Sequence, residues 1–180
     1  MKKILLFTAI LFASITMGNA QTTSDEAILT VRLYAIQSIV VNPKQDINFL
    51  DYTTTDNYKN GVSLLRENHL DIFSTGAFIV KVASATNDIN RVGGTKTISA
   101  STLKVKAEVG TDNALAGATM EEVSLSTTAT NLINSGTGAA NNRFNITYAG
   151  LDDYGFINSI VKNENPTVYT TTVTYTITPQ

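Results

Sequence analysis

Residues 103–109 read LKVKAEV, and this stretch decides the class of fold. Leucine, valine and alanine alternate with lysine and glutamate. Successive side chains of a strand point to opposite faces, so one face of this stretch is apolar and the other is charged. Such a strand has one face in a core and the other in water. The stretch therefore predicts a half-buried β-strand.

The same period of two recurs in short runs that are separated by polar turns. The other runs are residues 27–41, 69–72, 78–82, 123–125, 132–133, 144–148 and 167–178. No sustained amphipathic helix and no repeat of fixed period interrupts them. The pattern predicts an all-β protein, an antiparallel β-sandwich of Ig-like or jelly-roll type with roughly 8–10 strands.

Local signals add detail to this prediction. Ser74-Thr75-Gly76 lies between two of the runs and predicts a turn that joins them as a hairpin. Ile47 and Phe49 predict a further short strand, and residues 53–61 predict a loop. Residues 152–161 fit a short helix, against which Gly155 argues.

The N-terminus has the three parts of a secretory signal peptide. Lys2 and Lys3 are followed by an apolar run, and Gly18-Asn19-Ala20 supplies small residues for cleavage after Ala20. The apolar run is shorter than the roughly 20 residues of a membrane span. We therefore predict a signal peptide at residues 1–20 and a single domain at 21–180, secreted or displayed at the cell surface, with no membrane span after cleavage.

Composition narrows the classes of function. Without Lys2 and Lys3, eleven basic residues stand against fifteen acidic ones, a formal charge of −4, and they are scattered. The absence of a basic patch argues against nucleic acid as a partner. The chain contains no cysteine, so it has neither disulfides nor thiolate ligands.

Groups that could carry catalysis are few, and the sequence predicts neither an enzyme nor a cofactor. His69 is the only histidine, and the alternation around it predicts an outward-facing strand residue. Asp152-Asp153 and Glu121-Glu122 are adjacent in sequence, which does not place two carboxylates across a cleft. A calcium site at Asp152 and Asp153 stays open, although no EF-hand pattern is present.

The two terminal runs carry the main functional hint. Terminal strands of a sandwich can lie at sheet edges, where unpaired backbone groups accept another chain. The face expected to insert into a sheet, in its own chain or in a neighbour, comprises Leu29, Val31, Leu33 and Ala35. The last run presents Tyr169, Val173, Tyr175 and Ile177 on one face and threonine on the other.

The tail from Tyr169 to Pro179 resembles the C-terminal motif of WxL-type cell-surface domains, with Tyr175 in place of the family's tryptophan. An alternating first strand and a threonine-rich last strand also resemble the layout of α-class fimbrial major subunits. WxL domains attach to cell walls, but the earlier Trp-x-Leu motif is missing here, so the resemblance does not carry that binding over to this chain. The second resemblance implies a subunit that assembles by strand addition.

Three functions follow as expectations. The first is a secreted bacterial structural or adhesive surface protein, fimbria-like, whose partner is a second copy or another surface subunit. The second is a carbohydrate- or cell-wall-binding module that uses some of its seven tyrosines to stack on glycan. An enzyme is the third and has the least support.

Overall fold

The computed structural model describes residues 23–180. The predicted signal peptide lies outside the described residues, and its cleavage stays a prediction. The chain divides into two units between Arg32 and Leu33. In the first unit, residues 23–32 contain neither helix nor strand, and their side chains are exposed. The second unit contains all the regular structure described below.

Eleven strands and three short helices form the second unit. The helices are α1 (Thr55–Asn60) and two 3-10 turns at Ala100–Thr102 and Ile157–Ser159. The strands are β1 (Gln37–Val41), β2 (Ser63–Ser74), β3 (Phe78–Ser84), β4 (Asp88–Asn90), β5 (Thr97–Ser99), β6 (Lys104–Val109), β7 (Thr119–Met120), β8 (Glu122–Ser124), β9 (Thr130–Ser135), β10 (Ala139–Ala149) and β11 (Val173–Pro179).

The strands pair into two main antiparallel sheets, which confirms the predicted all-β sandwich. The five-stranded sheet has the order β1-β2-β10-β6-β8, and the four-stranded sheet has the order β11-β3-β9-β7. A separate pair, β4 and β5, lies outside them. Apolar side chains from both sheets form one core, and its largest fully buried members are Phe78 and Phe144.

One side of the sandwich is closed by the chain itself. The N–H of Glu121 donates to Leu132 in the four-stranded sheet, and its carbonyl accepts from Ala107 in the five-stranded sheet. The chain therefore passes from one sheet to the other between β7 and β8. On the opposite side, β1 and β11 are the end strands of the two sheets, and no hydrogen-bonded strand pairing of the described residues joins them.

The predicted hairpin at residues 69–82 is wrong, although both of its strands exist. β2 belongs to the five-stranded sheet and β3 to the four-stranded sheet, so residues 75–77 connect the two layers. Alternation shows that each strand has a buried face. Both faces look into the same core whether the two strands pair side by side or stack across it, so the pattern does not distinguish the two arrangements.

Other local predictions also change. Ile47 and Phe49 form no strand, and residues 53–61 contain α1, which Thr54 caps by accepting from the N–H of Asn57. Residues 152–161 contain only a 3-10 turn. Most important, the first predicted strand at residues 27–41 is a strand only over Gln37–Val41.

Two glycines of the β9–β10 connection provide a test of the packing. A Cβ at Gly138 would lie 2.6 Å from the carbonyl oxygen of Ser74, whereas a Cβ at Gly136 would have nothing within 4 Å. We expect Gly138→Ala to lower the free energy of unfolding by about 1–3 kcal/mol, because the β2 backbone must move. Gly136→Ala is the matched control and should leave it unchanged or slightly raised. Equal losses in urea unfolding would contradict the packing at Ser74.

Candidate assembly edge

The two last strands on the open side of the sandwich each have one unpaired side. Among the strands of residues 23–180, β11 pairs only with β3, and β1 pairs only with β2. Residues of β1 and β11 also contact each other across the two layers. We call the unpaired sides of these two strands the open edge.

The register of β11 on β3 shows which backbone N–H and C=O groups of β11 face the open edge. Gln180 donates to Ala77, and Ala85 donates to Thr172, so every second residue of β11 exchanges hydrogen bonds with β3. The intervening residues point their N–H and C=O groups away from β3, and these residues are Val173, Tyr175 and Ile177. Pro179 ends the row, because it has no N–H to donate.

The same reasoning applies to β1. Thr75 donates to the carbonyl of Ile36, and Asn42 donates to the carbonyl of His69, so Ser38 and Val40 bond β2. The backbone groups of Gln37, Ile39 and Val41 therefore face outward. A strand that arrives at the open edge meets unpaired donors and acceptors on both sheets.

Side-chain burial shows that the core is incomplete here. In β3, at the centre of its sheet, Phe78 and Val80 are fully buried. In the neighbouring β11, the inward side chains of Val173, Tyr175 and Ile177 pack against the core but remain only half-buried. Apolar surface at the open edge would be removed from water by one more strand, at about 25 cal/mol per Å².

The N-terminal run, residues 27–36, precedes β1 directly. The four side chains expected to insert into a sheet are all exposed, and Leu29, Val31 and Leu33 are 89%, 72% and 89% accessible. No strand of the described chain pairs with this run. The alternation that predicted a strand is therefore present without a partner, and that lack of a partner is why the strand prediction fails over residues 27–36.

A partly buried hydrogen-bond chain, with fully buried His69 at its centre, positions the side chain of Tyr175. The Tyr175 hydroxyl lies 2.7 Å from that of Tyr148 in β10, and the Tyr148 hydroxyl lies 2.8 Å from Nε2 of His69 in β2. Nδ1 of His69 lies 3.0 Å from Oε1 of Gln45. The chain links both sheets beside the open edge and so holds β11 in its place.

The burial of this chain shifts its titrations. Desolvation lowers the pKa of His69 to about 4, with a smaller contribution from the charge of Arg66. Desolvation likewise raises the pKa of Tyr148 and of Tyr175. At neutral pH all three groups are therefore uncharged, as a hydrogen-bonded interior requires.

The prediction that His69 faces outward is wrong, since its exposed fraction is 1%. A bulge in β2 is the cause. Phe144 pairs with Leu70 and Ile146 with Arg66, so three residues of β2 face one of β10. Asn68, with φ of 51°, forms the bulge, and its N–H donates to Asn145. His69 and Leu70 are then both buried, an arrangement that no alternation signals.

The remaining predicted site residues are dispersed. Tyr169 precedes β11 and donates its hydroxyl to the carbonyl of Ser159. The hydroxyls of Tyr148 and Tyr175 hydrogen-bond each other across the two sheets. Among residues 23–180, no group of three or more His, Asp or Glu side chains is placed to hold a metal ion.

Within the described residues, no helix is both long and apolar enough to cross a bilayer. Comparison of the chain with protein-family models and with curated proteins finds no match to either. The fold and the open edge define a β-sandwich in which the two end strands on one side each have an unpaired backbone edge.

Proposed function

We propose that this protein is a secreted structural subunit of the cell surface that assembles with copies of itself by strand addition. The N-terminal run of one copy pairs with the open edge of the next copy, along β11. One observation carries the proposal: the same chain contains both a strand-like segment and a sheet edge that are without a neighbouring strand. Within residues 23–180, no strand pairs with the exposed alternating run, and none pairs with the outer side of a sheet edge whose apolar side chains are half-buried.

The two features match chemically. Leu29, Val31, Leu33 and Ala35 would extend the inward row of Val173, Tyr175 and Ile177, whereas Thr30 and Arg32 would join the outer face with Thr174 and Thr176. Each inserted leucine or valine contributes about 1.5–3 kcal/mol when it is fully buried. The backbone of the run would satisfy the free groups of β11 up to Pro179.

The direction of the strands predicts an open polymer. β1 begins, and β11 ends, at the end of the sandwich that carries residues 75–77. Antiparallel addition to β11 makes an incoming run follow the direction of the acceptor's own β1, so the run leaves at the opposite end. Each copy then joins the next head to tail. A heterologous contact that does not close generates a filament.

Ile36, the last residue of the N-terminal run, directly precedes β1 and is itself hydrogen-bonded to Thr75. Successive copies would therefore be joined without a flexible linker. The chain purified without residues 1–20 should form filaments whose mass grows with concentration, as checked by light scattering and negative-stain electron microscopy. A chain that stays monomeric at every concentration and at the cell surface would overturn the proposal.

Trypsin offers a second measurement. Arg32 is exposed in the free chain, within a stretch that has no secondary structure, so cleavage after it should be rapid. In the filament this bond lies in a paired strand, and we expect cleavage to slow by about a hundredfold. Mass spectrometry of the released peptide follows the reaction. Unchanged cleavage after Arg32 in intact filaments would show that the run is not the inserted element.

A further inference from the structure

The hydrogen-bond chain beside the open edge has a defined direction. Nε2 of Gln45 donates to the carbonyl of Glu67, which orients the amide and turns Oε1 toward His69. Because Oε1 can only accept, Nδ1 of His69 carries the proton and Nε2 carries a lone pair. The Tyr148 hydroxyl therefore donates to His69 and accepts from the Tyr175 hydroxyl.

A proton added to His69 reverses this order. Protonated Nε2 becomes a donor, so the Tyr148 hydroxyl must accept from it and donate instead toward Tyr175. The Tyr175 oxygen then receives a hydrogen bond, and its own O–H is left without an acceptor in the interior. An unsatisfied buried donor is costly, and the charge on the imidazolium adds to that cost. β11 carries Tyr175, lies at one end of its sheet and pairs with β3 on one side.

The groups that surround His69 do not stabilise a positive charge on its imidazole. His69 faces Tyr148 of β10 and Tyr175 of β11, both neutral, and the neutral amide of Gln45. The charged group that acts on it is Arg66 of its own strand, which opposes protonation. Within residues 23–180, no carboxylate lies within ion-pair distance of His69.

We propose that the chain Gln45–His69–Tyr148–Tyr175 is a pH-sensitive latch on β11. With neutral His69 the latch holds the strand in place to receive a partner, and with protonated His69 it releases the strand. This inference rests on the proposed function, because it concerns the strand that accepts the N-terminal run of a second copy. Assembly would then weaken in acid.

Linkage determines the size and sign of the effect. The pKa of His69 is lowered to about 4 in the folded chain from an ordinary value of 6.5. The released or unfolded state therefore binds more protons between these values, and the closed state loses stability as pH falls through that window. Between pH 7.5 and pH 5, the opening equilibrium of β11 should rise about thirtyfold.

Hydrogen exchange on the chain carrying Val31→Asp, which should stay monomeric, tests the latch. After correction for intrinsic rates, protection of the β11 peptide should fall about thirtyfold from pH 7.5 to pH 5. The β6 peptide, which exchanges by global unfolding, should stay more protected than the β11 peptide at both pH values. His69→Gln keeps a donor and an acceptor but does not titrate, so its β11 protection should not depend on pH in this range.

If the His69→Gln variant does not fold, an NMR titration of the unmodified protein provides a second measurement. His69 is the only histidine, so its imidazole gives one NMR signal in the unmodified chain. That signal should titrate well below 6.5, together with the amides of β11. An ordinary midpoint, or constant β11 protection, would overturn the latch while leaving filament formation at pH 7.5 intact. If β11 protection depends on pH as expected but the protein never forms filaments, the proposed function is overturned and the latch is not.

Discussion

Replacing Val31 by aspartate is expected to abolish filament formation while leaving the folded domain unchanged. In the proposed filament this side chain enters the core of the next copy, and a carboxylate there loses the burial of valine and pays for desolvation. The combined loss is about 3–5 kcal/mol, which raises the concentration needed for assembly by about a hundredfold or more. Because Val31 is 72% exposed in the single chain, the unfolding midpoint should not move.

The neighbouring residue provides the control for this experiment. Thr30→Asp introduces the same charge one position earlier, where the side chain faces the outer surface of the acceptor sheet. Threonine and valine have nearly the same shape, so the two variants differ mainly in the face they change. Assembly by Thr30→Asp should stay close to that of the unmodified chain. Equal loss in both variants would show that charge, and not the inserted face, controls assembly.

Replacing Tyr148 by phenylalanine is expected to cost about 2–4 kcal/mol of folding stability. The Tyr148 hydroxyl is the middle member of the buried chain and contacts both His69 and Tyr175. Without it, Nε2 of His69 has no donor and the Tyr175 hydroxyl has no acceptor. Two buried polar groups are then left unsatisfied, and each of them loses the hydrogen bond that offset its burial. Urea unfolding at pH 7.5, analysed as a two-state transition, measures the loss.

Tyr175→Phe is the matched variant at the end of the same chain. It removes the last donor, yet Tyr148 still donates to His69, so no buried N–H or O–H loses its acceptor. We expect a loss of about 1 kcal/mol, clearly smaller than that for Tyr148→Phe. If the two variants lose the same stability, the direction assigned to the hydrogen bonds is incorrect. Protonation of His69 would then not leave the Tyr175 O–H without an acceptor, and the latch proposal fails.

The candidate site was only partly visible in the sequence. The exposed row of the N-terminal run and the inward row of β11 both follow from a period of two. The period of two does not show that the two segments lack a neighbouring strand, because strand pairing depends on residues far away in the chain. His69 shows the limit most clearly. The bulge at Asn68 turns it inward, and the groups that surround it come from β10, from β11 and from Gln45.

The sequence by itself determined that this is an all-β chain, because alternation over residues 103–109, 144–148 and 173–178 specifies a buried and an exposed face at each strand. Only the tertiary structure decided which strands are neighbours, that β2 and β3 lie in different sheets, and that no strand within residues 23–180 pairs with the N-terminal run. The physical reason is that a side-chain pattern is local, whereas the hydrogen bonds of a sheet join segments distant in sequence.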